Sequence, residues 1–434
     1  MAQKKKKRRL KRWVRVVLWC ITLTLVSWLI YWPVSTLMEY WENHSLSAHD
    51  VHSASRNAEA SPDPTMEQRL RAFMQAPVRL DTADIALTVY DLSADTAVVA
   101  WHESELMPPA SCIKLLTAIA ALKRLGPEHK YQTRISTRGR IKGGTLHGDV
   151  IIQTDDDPVI DDLSPLISAL SSKGISQIEG KVVLNLARTD TLLPHHTASV
   201  WDIPYNKLPV LLKGQRRIRS EVSTLLARQG IKYHNIRVEP GPRIYVGITP
   251  LKTITTPIEQ VISPMLIHSS NIKADALYHH TNHYRDRYEP FRGKGQSQTE
   301  LFLSQDLRYD TTPFTLNDGS GLSPDNRVDA NFLLALLRYA WSDESMRDIL
   351  LNHALATPSH PTRRGSLLTR MSGPEFKGRI FCKTGTLTSR AVSSLSGYAK
   401  SRNGHWYAFV IINRNSPVGE SRLYQDRLCK ELVR

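Results

Sequence analysis

Residues 107–125 read Met-Pro-Pro-Ala-Ser-Cys-Ile-Lys-Leu-Leu-Thr-Ala-Ile-Ala-Ala-Leu-Lys-Arg-Leu. The run is apolar and alanine-rich and stops at Gly126-Pro127, so it predicts a helix that ends there. Ser111 and Lys114 stand three residues apart at its start. On a helix, positions i and i+3 share a face, so the hydroxyl and the amine meet. A serine hydroxyl is a poor nucleophile until a neighbouring base takes its proton, and a partly desolvated lysine can be that base. The plainer alternative is a polar pair on an ordinary helix. The same spacing recurs at Ser270–Lys273, so the pattern needs support from the rest of the chain.

Upstream, Ile85–Leu92 and Thr96–His102 alternate like two strands around a turn at Ser93-Ala94-Asp95. Downstream, Tyr131–Ile141, Asp149–Gln153 and Lys181–Leu186 read as short strands around one helix near Ser164–Lys173. This change of texture predicts an inserted β-rich subdomain over 131–212, which divides a catalytic domain into 76–130 and 213–434. Helices are expected at Arg216–Gln229, Ile258–His268, Asn271–His283, Asp329–Trp341 and Ser345–His353, and a strand at Arg243–Ile248. The end alternates strongly, with strands at Arg379–Leu387, Ser393–Lys400 and His405–Asn413 before a helix at Glu420–Leu432. Terminal antiparallel strands flanked by helices imply an α+β class.

Two further motifs accompany the first. Ser269-Ser270-Asn271 opens a helix. Serine and asparagine are good helix caps, but they can also relay a proton and hold a substrate carbonyl. Ser-x-Asn occurs again at Ser55–Asn57 and Ser401–Asn403. Lys383-Thr384-Gly385-Thr386 lies inside the first C-terminal strand. There lysine supplies fixed charge, threonine a hydroxyl, and glycine room for close approach at a strand edge. A solvent-facing lysine on an edge strand is the competing explanation.

The order Ser-x-x-Lys, Ser-x-Asn, Lys-Thr-Gly is that of penicillin-binding proteins and serine β-lactamases. Pro109-Ala110-Ser111, Lys114-Leu115-Leu116-Thr117-Ala118, Asp318-Gly319-Ser320-Gly321-Leu322-Ser323 and Lys383-Thr384-Gly385-Thr386-Leu387-Thr388 sharpen the match. From about residue 80 onward the chain resembles the D-Ala-D-Ala carboxypeptidase/endopeptidases of the penicillin-binding protein 4 type, the class C low-molecular-mass penicillin-binding proteins. The resemblance implies a transpeptidase/β-lactamase-like domain, an antiparallel sheet with helices, carrying an insertion. It implies Ser111 as the acylated nucleophile, Lys114 as its base, and Ser269 with Lys383 as the proton relay to the leaving amine. It further implies Asn271, Thr384, Gly385 and Thr386 as substrate-binding residues, with Asn271 holding the peptide and Thr384 and Thr386 binding its terminal carboxylate. The N–H groups of Ser111 and Thr386 would form an oxyanion hole. Peptidoglycan peptides are the implied substrate and β-lactam antibiotics the implied covalent inhibitors. No cofactor or metal is implied.

The chain departs from the family near Lys181-Val182-Val183-Leu184-Asn185. There the family often has an acidic residue facing the active site; here Asn185 and Arg188 stand instead. Other readings of the same motifs are a serine β-lactamase and a catalytically idle scaffold for wall synthesis. No Glu-x-x-Leu-Asn segment is present to supply a deacylating water, and the intact Ser111, Lys114, Ser269 and Lys383 argue against idleness.

The 434 residues leave room for two or more domains. The net charge of +16 is uneven: Lys4, Lys5, Lys6, Lys7, Arg8, Arg9, Lys11, Arg12 and Arg15 supply nine positive charges and leave +7 for the rest. Such a cluster can bind nucleic acid, but an uncharged apolar stretch follows at once, so no nucleic-acid partner is expected. Val16–Tyr31, or as far as Met38 if Pro33 is tolerated, carries Trp19, Trp28, Tyr31 and Trp32, which suit a membrane interface. Residues 1–15 read as a basic cytoplasmic segment and 16–38 as an uncleaved inner-membrane anchor, with a cleaved secretory signal as the rival. Either places the catalytic domain in the periplasm. Residues 39–75 read as a linker, with a helix at Met66–Met74 near its end.

The four cysteines, Cys20, Cys112, Cys382 and Cys429, make no disulfide framework. Cys112 and Cys382 read as small packing residues, with a bridge between them left open. His279, His280 and His283 lie close in sequence, but no His-Glu-x-x-His pattern accompanies them, so a polar helix face is preferred to a zinc site.

Overall fold

A computed structural model describes residues 61–198, 207–241, 243–283 and 297–434. The basic segment, the apolar segment 16–38 and Ser55–Asn57 lie outside the described residues. Among the described residues no helix is long and apolar enough to cross a membrane.

Helix α1 spans Pro64–Gln75, capped by the Asp63 carboxylate, which accepts from the Thr65 and Met66 N–H groups. Its buried Met66, Leu70 and Phe73 recur at helical spacing. They join the core beneath the central sheet. The linker expected over 39–75 therefore stops before Pro64, because this helix has an apolar stripe to bury. Strands β1 (Ile85–Asp91) and β2 (Thr96–Trp101) follow. A 3-10 turn over Ala110–Ile113 then runs into α2 (Lys114–Leu125). Every residue from Lys114 to Leu122 is buried. A helix apolar on all sides belongs inside a domain rather than on its surface.

The chain then leaves for a second sheet. It comprises β3 (Lys130–Lys142), β4 (Thr145–Thr154), α3 (Ser164–Ser172), β5 (Gln177–Ile178) and β6 (Val182–Leu186). It continues through α4 (Gln215–Arg228), β7 (Lys232–Tyr233), β8 (Ile236–Pro240) and β9 (Thr249–Pro257). The strand order is β7-β5-β4-β3-β9, with β6 paired to β4 and β8. β3 is antiparallel to β4 and β9, whereas β4–β6 and β6–β8 are parallel. This corrects the boundary expected at 212. Ile218, Val222, Leu225 and Leu226 of α4 pack with Leu166, Ile167 and Leu170 of α3 in the insert's own core. The insertion runs from Lys130 to Pro257, because β9 returns to pair with β3 along its length. Arg243–Ile248, expected as a strand, is a loop. The Arg243 N–H donates to Asn185 Oδ1 and its carbonyl accepts from Gln153 Nε2, so this backbone bonds side chains instead of a ladder.

The chain re-enters the first unit through α5 (Glu259–Ile267), α6 (Asn271–His283) and α7 (Ala330–Ser342). It ends with β10 (Ile380–Leu387), β11 (Val392–Lys400), β12 (Trp406–Asn413) and α8 (Val418–Val433). The five-stranded sheet has the order β10-β11-β12-β1-β2. All of its pairings are antiparallel, and β1 lies against β12 from Ile85–Asn413 to Asp91–Tyr407. Alternation along the strands divides the residues between two helical layers. Ala86, Tyr90, Ala408, Val410 and Ile412 face α2 and α7. Ile85, Leu87, Val89, Tyr407, Phe409 and Ile411 face α1 and α8. Burying each such large side chain contributes about 1.5–3 kcal/mol. The result is an antiparallel sheet between helices, with β10 as the edge strand beside the start of α2, bridged at Cys382 to Ala356.

Candidate active site

The 3-10 turn at the head of α2 aligns the first motif. Side chains three apart nearly eclipse in that geometry, and Lys114 Nζ lies 2.8 Å from Ser111 Oγ. Ala110, immediately before Ser111, has φ of 47°. Strained backbone of this kind persists only where the surroundings enforce it. Here Ser394 does so, donating its hydroxyl proton to the Pro109 carbonyl at 2.7 Å and lying 3.2 Å from Cys112 Sγ. Gly321 does so as well. A Cβ on Gly321 would fall 1.9 Å from the Ala110 carbonyl oxygen.

Lys114 is fully buried. Besides Ser111 Oγ, its Nζ reaches Asn271 Oδ1 at 2.8 Å and, more closely still, the Ser320 carbonyl. A neutral amine has two N–H donors and one lone pair. The two pure acceptors take the donors, which leaves the lone pair for the Ser111 hydroxyl proton. Burial first, and then the positive charge of Lys383, lower the Lys114 pKa to about 7; Asp275 and Asp318 oppose the shift. The structure thus sets an amine that loses its charge near neutral pH beside the serine hydroxyl.

The Ser320 carbonyl is presented by a loop folded around a buried carboxylate. Asp318 accepts from the Gly321 and Ser323 N–H groups, both at 2.6 Å, and from Asn326 Nδ2 at 3.1 Å. Thr117 of α2 donates to the Gly319 carbonyl at 2.7 Å, tying the loop to the helix that follows Ser111.

The second and third motifs meet each other. Lys383 Nζ donates to Ser269 Oγ at 2.9 Å and to the Thr384 carbonyl at 2.6 Å. Burial lowers Lys383 to about 8. Ser269 has φ of 59°. Thr384 and Thr386 share the other side of β10. Thr384 donates to Ser366 Oγ at 2.6 Å and Thr386 donates to the Gly385 carbonyl at 2.8 Å. A Cβ on Gly385 would come within 3.0 Å of the Pro109 carbonyl and the Ala110 side chain, and nearer still to Ser394 Oγ. This glycine therefore admits the Ser111 turn against β10.

All eight residues expected at the site lie on these elements. The other motif copies go elsewhere. Lys273 Nζ donates to the Pro158 carbonyl of the insert at 3.1 Å, and Ser270 Oγ accepts from the Lys273 N–H. Ser401 and Asn403 form the β11–β12 turn. Cys112, Cys382 and Cys429 are buried free thiols. His280 is buried beside Tyr131 and His129, with ring centroids 4.7 and 5.6 Å away, and burial pushes it down to about 3. Among the described residues no group of three His, Cys, Asp or Glu gathers as a metal site. Arg188 pairs with Asp156 at 3.2 Å.

Residues 66–206 and 213–428 match the D-Ala-D-Ala carboxypeptidase 3 (S13) family. The chain belongs to that family. Membership makes it a serine-type D-Ala-D-Ala carboxypeptidase of the penicillin-binding protein 4 type, a hydrolase acting on peptidoglycan. It is 21% identical over 419 residues to the D-alanyl-D-alanine carboxypeptidase DacB of Haemophilus influenzae, covering 76% of this chain and 85% of that one. The fold resembles penicillin binding protein 4 of H. influenzae complexed with a β-lactam, with TM-score 0.62, 19% identity, and 84% and 99% of the two chains covered. It also resembles Bd3459, a predatory peptidoglycan endopeptidase of Bdellovibrio bacteriovorus, with TM-score 0.56, 17% identity, and 82% and 94% covered. Within this S13 protein, sequence reasoning missed the Ser320 carbonyl, because a backbone acceptor has no residue signature. It also missed Ser366 and Arg422, which lie in no motif. Arg422 donates to Thr386 Oγ1 at 3.1 Å.

Proposed function

We propose that this protein cleaves the terminal D-Ala-D-Ala bond of peptidoglycan stem peptides, and the matching bond in cross-links, through an acyl-enzyme at Ser111. The observation that carries the reading is the fully buried Lys114 amine 2.8 Å from Ser111 Oγ. Neutral Lys114 takes the hydroxyl proton as Oγ attacks the penultimate D-Ala carbonyl. The N–H groups of Ser111 and Thr386 receive the developing oxyanion, a role typically contributing about 3–4 kcal/mol per donor. As the C–N bond breaks, Ser269 gives its proton to the leaving amine and regains the one that Lys114 took from Ser111, so Lys114 is neutral again; Lys383 supplies charge beside Ser269. Asn271 holds the peptide, and Thr384, Gly385 and Thr386 hold the substrate along β10. Water then hydrolyses the ester, with Lys114 as base. β-Lactams would acylate the same hydroxyl; the H. influenzae protein of similar fold forms a complex with a β-lactam.

The apolar segment 16–38, with its basic flank, supports an inner-membrane anchor that leaves this domain in the periplasm. Fractionation of cells making the full chain tests that point. Intact mass after incubation with benzylpenicillin, with Ser111→Ala alongside, tests the chemistry. A single adduct on the wild type alone is expected. Rapid drug hydrolysis without an adduct would indicate a β-lactamase, and neither adduct nor hydrolysis would indicate a scaffold.

A further inference from the structure

Arg422 lies in the second turn of α8, on the side of β10 that carries Thr384 and Thr386. Its backbone is held firmly. Arg370 grips Asp426 at 2.7 and 2.9 Å and also donates to the Arg422 carbonyl at 3.4 Å. Gln425 donates to Ser393 Oγ at 3.1 Å and to Asn413 Oδ1 at 2.9 Å. The side chain, by contrast, is exposed and has no carboxylate partner among the described residues. Its recorded hydrogen bond is from Nη2 to Thr386 Oγ1 at 3.1 Å. A guanidinium carries five donors in a planar fork suited to two carboxylate oxygens. Thr386 already spends its own proton on the Gly385 carbonyl. To bind an anion through its hydroxyl, this threonine would have to turn that proton away, whereas Arg422 brings donors and charge with no rearrangement of β10.

We infer that Arg422 binds the C-terminal carboxylate of the substrate beside Thr386 and sets the preference for peptides that end in a free carboxylate. The inference rests on the reading of β10 as the substrate edge and of Ser111 as the nucleophile. It adds a recognition group from outside the three motifs. The contact persists from bound substrate to transition state, so its loss should raise KM more than it lowers kcat.

The test uses two synthetic peptides ending in D-Ala-D-Ala, one with a free carboxylate and one with a carboxamide. Charge-assisted hydrogen bonds of this kind predict that Arg422→Gln lowers kcat/KM for the carboxylate peptide about 10- to 100-fold. The carboxamide peptide should change little, so the selectivity ratio collapses. Arg422→Lys keeps the charge without the fork and should retain an intermediate ratio. Wild-type selectivity in either variant, or an equal loss on both peptides in Arg422→Lys, would overturn the inference. Benzylpenicillin labelling of Ser111 is measured in parallel. Labelling with unchanged selectivity rejects Arg422 alone, and no labelling of the wild type rejects the enzyme reading and this inference together.

Discussion

Ser111–Lys114 and Ser270–Lys273 share a spacing, and each sits at the head of a helix, yet their surroundings differ. Lys114 is sealed from water and its nitrogen meets three oxygens, one of them the hydroxyl of its own motif. Lys273 is partly exposed, and its nitrogen leaves Ser270 for the Pro158 carbonyl of the inserted sheet. Burial lowers the pKa of both lysines. At Lys114 the next contribution is the like charge of Lys383, which lowers it further. At Lys273 it is the carboxylates of Asp157 and Asp161, which favour the charged form and offset part of that shift. Spacing brings a serine and a lysine to one helix face. A second lysine and two carbonyl-type acceptors give one such pair the surroundings that the proposed base and nucleophile need.

The widest gap between the two copies should be in acylation by benzylpenicillin. Lys114→Met should slow it about 10²- to 10⁴-fold, the usual contribution of a general base. Lys273→Met should stay within about threefold of wild type, as an independent site. Stopped-flow acylation rates decide this.

The pH profile sharpens the contrast. Lys114 must be neutral to act, so acylation should climb about tenfold per pH unit below its lowered pKa of about 7. It should decline once Lys383 loses its proton above about 8. The pair will titrate together, so the profile reports two apparent values for the site as a whole. Lys273→Met should leave the curve in place; a shifted curve would show that both copies feed one site.

Gly321→Ala probes the frame around the productive copy. Its Cβ would meet the Ala110 carbonyl at 1.9 Å, and its φ of 75° disfavours any side chain. A loss of about 1–3 kcal/mol by chemical denaturation is expected, together with slower acylation as the nucleophile's turn shifts. The smallest effect belongs to the other copy. Removing the Lys273–Pro158 hydrogen bond should cost about 1 kcal/mol of stability with acylation intact.

The catalytic sheet was largely legible in advance, because its strands alternate and pair through short antiparallel turns. The serine, lysine, asparagine and threonine side chains of the site were legible as motifs. The insert was legible only in part. Its β4–β6–β8 pairings are parallel and non-local, so nothing near residue 212 marks that α4, β8 and β9 belong to it. The loop at Arg243–Ile248 resembles a strand because its backbone partners are side chains of Asn185 and Gln153, distant in sequence. In the site, the Ser320 carbonyl depends on the loop folded around Asp318, and the place of Arg422 depends on how α8 lies beneath the sheet. Both are tertiary facts with no local pattern.

The central claim is that one of two identical spacings carries the nucleophile. Proteolytic mapping of the benzylpenicillin adduct tests it most directly. The account predicts the penicilloyl group on the peptide containing Ser111, with Ser270 unmodified in the same digest. An adduct on Ser270, or an adduct that survives Ser111→Ala, would contradict it.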